Sequence, residues 1–267
     1  MKSKKRKLII YLADLTHTGI RLATDYMPLN IGLIASYSLK NFGTDIEIKL
    51  FKYPEKLFSA LRHGQCDILG CSTYIWNNNL SEFACKVAKK YNPEVITVRG
   101  GWNFPLDINQ QESYLRKYLA TDIFCLHEGE VAFSKVVKRV LDFDRTGQWG
   151  KEPIEGNVFI NRENNVFVNG GILPRIKDLS HIPSPYMTGL RDEFFDGKRI
   201  PVIETARGCP FKCSYCNSSN DFYNKVEFFP TEYVVSEIDY IAKKIHTSGL
   251  AGLMFPDTNL GMYERDK

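Results

Sequence analysis

The stretch Glu204–Asn217 reads E-T-A-R-G-C-P-F-K-C-S-Y-C-N, which sets Cys209, Cys213 and Cys216 at the spacing C-x3-C-x2-C. Thiolates are the usual protein ligands of iron–sulfur clusters. A four-iron cube has four corners, so three cysteines on one tight loop leave one iron open to a small molecule. Gly208 frees the backbone at the loop's start, and Pro210 stiffens it. A β-branched run, Ile200 to Thr205, comes just before. The loop is therefore expected at the C-terminal end of a strand, where α/β folds place their chemistry. A zinc site is the competing use of such thiols, but structural zinc wants four ligands from two separated pairs. No second cysteine pair follows, and His246 is the nearest downstream histidine. A disulfide framework fits seven cysteines and the lack of secretory features poorly.

The chain ahead of this loop alternates strand and helix patterns. Lys7–Ala13 is a short apolar run and reads as a buried strand. A polar loop, Asp14–Met27, follows, and Pro28 opens a helix that closes at Asn41-Phe-Gly43. Ile46–Phe51 alternates apolar and charged residues, as a half-exposed strand does. A short helix spans Glu55–Arg62, and Asp67–Thr73 is a third, buried strand. Leu80, Phe83, Ala84, Val87, Ala88 and Tyr91 then form a helical stripe expected to pack in the core. Val95–Val98 is strand four, Gln111–Leu119 a short helix and Ile123–Leu126 strand five. His127-Glu-Gly-Glu130 leads the next helix. Five strands alternating with helices over ~140 residues predict a doubly wound parallel sheet, Rossmann-like. Ligands of such sheets bind beyond the carboxyl ends of the strands. Those ends carry residues 14–25, 72–78, 100–101 and 127–130. No G-x-G-x-x-G fingerprint follows strand one, which argues against a dinucleotide.

Composition narrows the class. The 267 residues are 43% hydrophobic and 25% charged, as in an ordinary globular protein, and suffice for two modest domains. The net charge of +4 is small, and much of it sits in Lys2, Lys4, Lys5, Arg6 and Lys7. So short a basic run reads as a solvated tail rather than a nucleic-acid contact. Leu8–Leu15 is too short, and too soon broken by Asp14, for a signal peptide or membrane span. The expected location is cytoplasmic, which also suits an oxygen-sensitive cluster.

With Tyr215 before its last cysteine, the cysteine loop resembles that of radical S-adenosylmethionine (SAM) enzymes. The longer string through N-K-V-E-F-F-P (224–230) resembles the branch that carries an N-terminal cobalamin-binding domain. The resemblance implies a 4Fe-4S cluster on Cys209, Cys213 and Cys216, its open iron chelated by SAM. The cluster, reduced by a flavodoxin- or ferredoxin-type donor, would cleave SAM to a 5′-deoxyadenosyl radical. It extends more loosely to M-P-L-N-I-G-L-I-A-S-Y (27–37), S-T-Y-I-W-N (72–77), R-G-G-W (99–102) and H-E-G-E (127–130). These loops, with Ser72, Thr73, Tyr74, Gly100, Gly101, Glu128 and Gly129, would line a bound cobalamin, near the cluster and between the domains. The alternative is a sheet of the same topology that has lost its cofactor. Some cobalamin proteins ligate cobalt through a D-x-H-x-x-G histidine. Here residues 14–19 read D-L-T-H-T-G, so His17 stands one place late and is not expected on the metal.

Asn157–Asn169 alternates around a polar turn and reads as a hairpin that must pack on a domain. Leu173–Gly197 reads as a crossing linker, and its S-P-Y-M-T-G-L (184–190) also resembles the family's linker. A second domain then opens with the strand Ile200–Thr205 and the cysteine loop. A helix from Pro230-Thr231 follows, with Val234, Val235, Ile238, Ile241, Ala242 and Ile245 on one stripe, ended by Gly249. The strand Gly252–Pro256 comes last, and together these make the first strand–helix–strand unit of a (β/α) barrel. Tyr215, Asp257 and Asn259 are the candidate SAM contacts; a turn or cap role is the other reading of Asp257.

The expected domains are 1–145, binding cobalamin; 146–197, hairpin and linker; and 198–267, an incomplete radical SAM core. A whole barrel needs ~200 residues, so the chain reads as the N-terminal part of a longer enzyme or a truncated product. The resemblance implies methyl transfer to an unactivated carbon of a small-molecule or peptide-derived substrate. A radical rearrangement or cyclisation, or a non-catalytic fragment that only binds its cofactors, are the alternatives.

Overall fold

The computed structural model describes residues 6–19, 25–143, 147–248 and 252–266. They fall into two compact units, Met1–Thr24 with Asn30–Leu173, and Asp25–Leu29 with Pro174–Lys267.

The first unit is built on one sheet. Strands β1 (Leu8–Ala13), β2 (Ile46–Phe51), β3 (Ile68–Ser72), β4 (Ile96–Gly100) and β5 (Ile123–Cys125) are parallel. The hairpin β6 (Asn157–Ile160) and β7 (Phe167–Asn169) joins the β5 edge antiparallel, giving the order β2-β1-β3-β4-β5-β6-β7. Between the strands run α1 (Leu29–Phe42), α2 (Pro54–His63), α3 (Asn78–Tyr91), α4 (Ile108–Lys117) and α5 (Gly129–Asp142). The α4 helix starts earlier than its apolar pattern suggests because Asp107 caps it, accepting from the amides of Asn109 and Gln110 at 3.0 Å each.

Side chains alternate across the sheet as the pleat requires. Tyr11, Leu69 and Cys71 pack with Leu57 and Leu61 of α2 and with Ala84, Cys85 and Ala88 of α3. Phe124, on that same face through the pairs Cys71–Arg99 and Arg99–Phe124, packs with Leu115 of α4. Leu12 and Gly70 turn to the other face, where Gly70 lies under Phe133 of α5. Helices on both faces are what buries all five residues of β3. The α/β, doubly wound sheet expected from the alternating pattern is thus present.

The stripe expected on α3 needs correction. Ala84 and Ala88 are buried, but Phe83 is 53% exposed and Tyr91 40% exposed. Polar residues share the buried face with Ala84, Cys85 and Ala88. Ser81 Oγ donates to the Ser72 carbonyl at 3.1 Å, and Glu82 accepts from Thr121 Oγ1 at 3.0 Å. Phe83 lies edge-on against Phe58 of α2, with ring centroids 5.6 Å apart.

In the second unit, two expected strands reduce to single bridges. Ile200 pairs with Tyr26, and Val202 with Met254, both parallel. The first bridge is made by Ile200 N to Asp25 O (2.7 Å) and Met27 N to Ile200 O (2.9 Å); the second by Ile203 N to Met254 O (3.0 Å) and Met254 N to Pro201 O (2.9 Å). The segment beside Ile200 stops at Pro28, which has no N–H to donate. The backbone of Val202 is served by a side chain instead. The Tyr186 hydroxyl accepts from Val202 N and donates to Val202 O, both at 3.0 Å, and Arg191 Nη1 also donates to that carbonyl at 3.0 Å.

A two-residue ladder, β8 (Ala206–Arg207) with β9 (Glu227–Phe228), and the helix α6 (Thr231–Ser248) complete this unit. The apolar stripe of α6 is split: Ile241 is buried, whereas Val235 and Ile238 are 49% and 37% exposed. Glu237 takes a buried place, accepting from Ser184 Oγ at 2.5 Å. The Gly249 stop lies outside the described residues.

Candidate cofactor sites

The carboxyl ends of β3 and β4 are tied together at the backbone. Thr73 N donates to Gly100 O at 2.7 Å. Gly101, at φ +124°, presses against the next peptide: a Cβ there would stand 2.5 Å from Thr73 O. Only glycine fits that approach. Gly100 differs, since a Cβ there would meet Cys125 Cβ at an ordinary 3.4 Å.

Beneath the two loops lies Arg99, whose side chain is wholly buried. Its Nε donates to Thr73 Oγ1 at 3.1 Å, and its Nη atoms reach Thr121 Oγ1 (3.3 Å), Tyr114 Oη (3.0 Å) and Asn78. Glu82 lies 3.6 Å away and supplies countercharge, and the guanidinium rests over the Tyr118 ring. A buried arginine is tolerable only when paired and hydrogen-bonded in this way. Sequence reasoning did not single Arg99 out. The available signal was a charge inside the apolar run I-T-V-R-G-G.

Of the residues expected around a corrin, Ser72 and Thr73 are buried and serve the loop. Tyr74 and Trp76 form a stacked pair, centroids 4.6 Å apart and planes 7° apart, with the Tyr74 hydroxyl held by Asn30. Ile75, at 81% exposed, stands between them in sequence, so the β3 loop offers an apolar ledge at the strand ends. Glu128 and Gly129 open α5, where Gly129 makes room for Ile34 of α1. Before them His127 takes a positive φ of 54°, and burial pushes its pKa below the ordinary 6.5. His17 Nε2 lies 2.9 Å from the Trp76 carbonyl. A carbonyl only accepts, so Nε2 carries the proton, and a neutral ring keeps its lone pair on Nδ1.

The cysteine loop of the second unit is tied down at its start and closes on itself in a turn at its end. Cys209 N donates to Tyr223 O at 2.8 Å, and Cys216 N to Cys213 O at 3.0 Å. Gly208 has φ +111°, and a Cβ there would fall 2.1 Å from Lys225 O, so no other residue fits without moving the backbone. Cys209 is buried, Cys213 and Cys216 are half-buried, and all three thiols are free. Among the described residues, no three His, Cys, Asp or Glu side chains converge as they would about a single metal ion. A cube sets its thiolates on separate corners, more widely than ligands of one ion. Three free thiols on one anchored loop fit that group.

Asp257, Thr258 and Asn259 grip this loop one after another. Asp257 Oδ1 accepts from Thr205 N at 2.9 Å and Ala206 N at 2.5 Å. Thr258 Oγ1 donates to Gly208 O at 3.0 Å, and Asn259 Nδ2 to Cys209 Sγ at 3.3 Å. Burial pushes the Asp257 carboxyl pKa upward against the pull of the two amides. Its Oδ2 is buried and has no hydrogen-bond partner among the described residues. Tyr215 is 90% exposed and stands apart from this grip.

No protein-family profile matches the chain. It is 27% identical over 253 residues to the cobalamin-dependent radical SAM methyltransferase TokK of Streptomyces tokunonensis, covering 90% of this chain and 35% of that protein. It is 26% identical over 193 residues to an anaerobic magnesium-protoporphyrin IX monomethyl ester cyclase of Cereibacter sphaeroides, covering 71% of this chain and 30% of that protein. Its fold matches the cobalamin-dependent SAM radical enzyme OxsB, solved with aqua-cobalamin and SAM bound. That match has a TM-score of 0.71 and 14% identity, over 95% of this chain and 34% of that one. The chain spans about a third of the length of these relatives. The resemblance to cobalamin-dependent radical SAM enzymes, first visible in the cysteine loop, therefore runs along nearly the whole chain.

Proposed function

We propose that this chain carries the cobalamin-binding and cluster-binding parts of a radical SAM enzyme that transfers a methyl group to an unactivated carbon. The observation that carries the reading is the anchored C-x3-C-x2-C loop with Asn259 on Cys209 Sγ, backed by the similarity to TokK. When bound, the cluster supplies the electron that cleaves SAM, and cobalamin supplies a methyl carrier. Cys209, Cys213 and Cys216 hold the cluster. The corrin face belongs to Ser72, Thr73, Tyr74, Gly100, Gly101, Glu128 and Gly129, within a cobalamin-binding domain of residues 1–145. Residues 146–197 carry the hairpin, which extends that domain's sheet, and the segment leading into the incomplete radical SAM core of 198–267. In that core the partnerless Oδ2 of Asp257 remains available to the amino group of SAM. Tyr215 and the second amide hydrogen of Asn259 are the other proposed contacts.

The substrate is a small or peptide-derived molecule, and a flavodoxin or ferredoxin provides the electron. No helix among the described residues is long and apolar enough to cross a membrane. With its oxygen-sensitive cluster, the protein is assigned to the cytoplasm.

The test is anaerobic reconstitution with iron, sulfide and hydroxocobalamin, followed by product analysis with SAM and a reductant. About four irons per chain, a cobalamin spectrum altered by binding, and methylated product are expected. SAM consumed to 5′-deoxyadenosine alone overturns methyl transfer. That outcome favours the second reading, a radical cyclisation, which the likeness to the protoporphyrin ester cyclase supports. Uptake of both cofactors with no SAM cleavage would mark a binding fragment.

A further inference from the structure

Asn259 does something other than meet a substrate: its amide hydrogen points at a ligand sulfur. Three adjoining residues hold the cysteine loop, and they act on different atoms. Asp257 and Thr258 bind only backbone, at Thr205, Ala206 and Gly208. Asn259 alone of the three reaches a sulfur, donating from Nδ2 to Cys209 Sγ at 3.3 Å. Cys209 is also the most buried of the three thiols, at 8% exposed. The donor is itself fixed. Met262 N donates to Asn259 O at 3.1 Å, and the turn that follows is closed by Asp266 Oδ2, which accepts from Gly261 N and Tyr263 N at 3.0 and 3.2 Å.

We infer that Asn259 sets the reduction potential of the cluster by donating a hydrogen bond to the Cys209 sulfur. The inference rests on the cluster reading given above. One electron from an external reductant enters the cluster, no bond is made or broken, and no proton moves. The added charge is shared by the thiolate sulfurs. An N–H held toward one of them stabilises the reduced form more than the oxidised form. Hydrogen bonds to sulfur are among the levers that set cluster potentials, and a prearranged dipole in a water-poor place acts without reorganisation. The effect is strongest at the sulfur least open to water, which here is the one that Asn259 touches.

The experiment is an anaerobic redox titration of the reconstituted full chain with dithionite and mediators, following the low-temperature resonance of the reduced cluster. Wild type is compared with Asn259→Leu, Asn259→Asp and Thr258→Val. Asn259→Leu removes the donor and is expected to lower the ratio of reduced to oxidised cluster about tenfold at any fixed poise. For a one-electron couple that is about 59 mV. Asn259→Asp, close in shape but carrying no amide hydrogen, is expected to shift it at least as far. Thr258→Val loosens the same loop without touching sulfur and is expected to leave the midpoint in place. Wild-type midpoints in both Asn259 variants overturn the inference. So does an equal shift in Thr258→Val, which would make loop slackening the cause. Failure of both Asn259 variants to take up iron, with wild type loaded, overturns it too and makes Asn259 a folding residue. If wild type itself binds no iron, the cluster reading falls, and that result is distinct from the others.

Discussion

The carboxyl ends of β3 and β4 and the cysteine loop both need a backbone held in one shape, and they reach it by different physics. In the first unit the loops end strands already paired on both sides, and a charge beneath them, Arg99, draws Thr73, Asn78, Thr121 and Tyr114 around itself. In the second unit the segments around Ile200 and Met254 are held by single bridges. Individual side chains take the place of neighbouring backbone there: Tyr186 at Val202, Asp257 at Thr205 and Ala206. A complete sheet lets a site be tuned from below by one buried ion. A sparse one spends its polar side chains on holding strands.

The comparison breaks most severely at Arg99. Arg99→Met leaves the Glu82 carboxylate buried without its countercharge, and removing one member of a buried pair costs about 3–5 kcal/mol. Hydrogen exchange of the β3 and β4 amides should rise accordingly, while the Ile203 amide keeps its protection. Tyr186→Phe tests the other side. It strands the Val202 N–H and weakens the hold on its carbonyl, at a cost of about 1–3 kcal/mol. Exchange at Val202 and Ile203 should rise, and the first sheet should not respond.

A smaller effect is expected from pH. Burial raises the Glu237 pKa above its ordinary 4.5, with Ser184, Tyr233 and the charge of Arg191 pulling back. The folded form therefore holds its proton more tightly than the unfolded form. The stability this gives is complete below pH 4.5 and is lost as pH rises through the raised folded value. Glu237→Gln should flatten that slope in denaturation curves of the second unit; an unchanged slope would clear Glu237. The smallest effect is at His17. Because His17 stands one place late of the D-x-H-x-x-G position, His17→Ala should leave the spectrum of bound hydroxocobalamin unchanged. Loss of a nitrogen-ligand signature in that variant would reverse the assignment.

How much of this was legible in the sequence depended on range. The parallel strands showed as short apolar runs bounded by turn residues, or in β2 as an alternation of apolar and charged residues, and α1 showed through the proline just ahead of it. The hairpin showed as a hairpin, but its place beside β5 is a pairing between distant segments that no local pattern encodes. Phe83 and Tyr91 fitted a helical stripe and are nevertheless exposed, because Ser81 and Glu82 had buried partners elsewhere. The cysteines announced themselves by spacing. Asp257 and Asn259 were placed near the right chemistry, but their grip on Thr205, Ala206 and Cys209 spans fifty residues or more of chain. It could only be seen once folded.

The hairpin's short outer strand has a bearing on how this protein behaves in a crowded solution. A sheet with open rims invites another chain to continue it. One rim here is β7, only three residues long, ended by Asn169 and followed by Gly170-Gly171, so it offers a visitor little to pair with. The opposite rim, β2, is longer but carries the exposed charges Glu47 and Lys49, 3.6 Å apart. One border is too brief to template growth and the other too well hydrated. The wide apolar sheet between them is thereby kept from stacking edge to edge into aggregates.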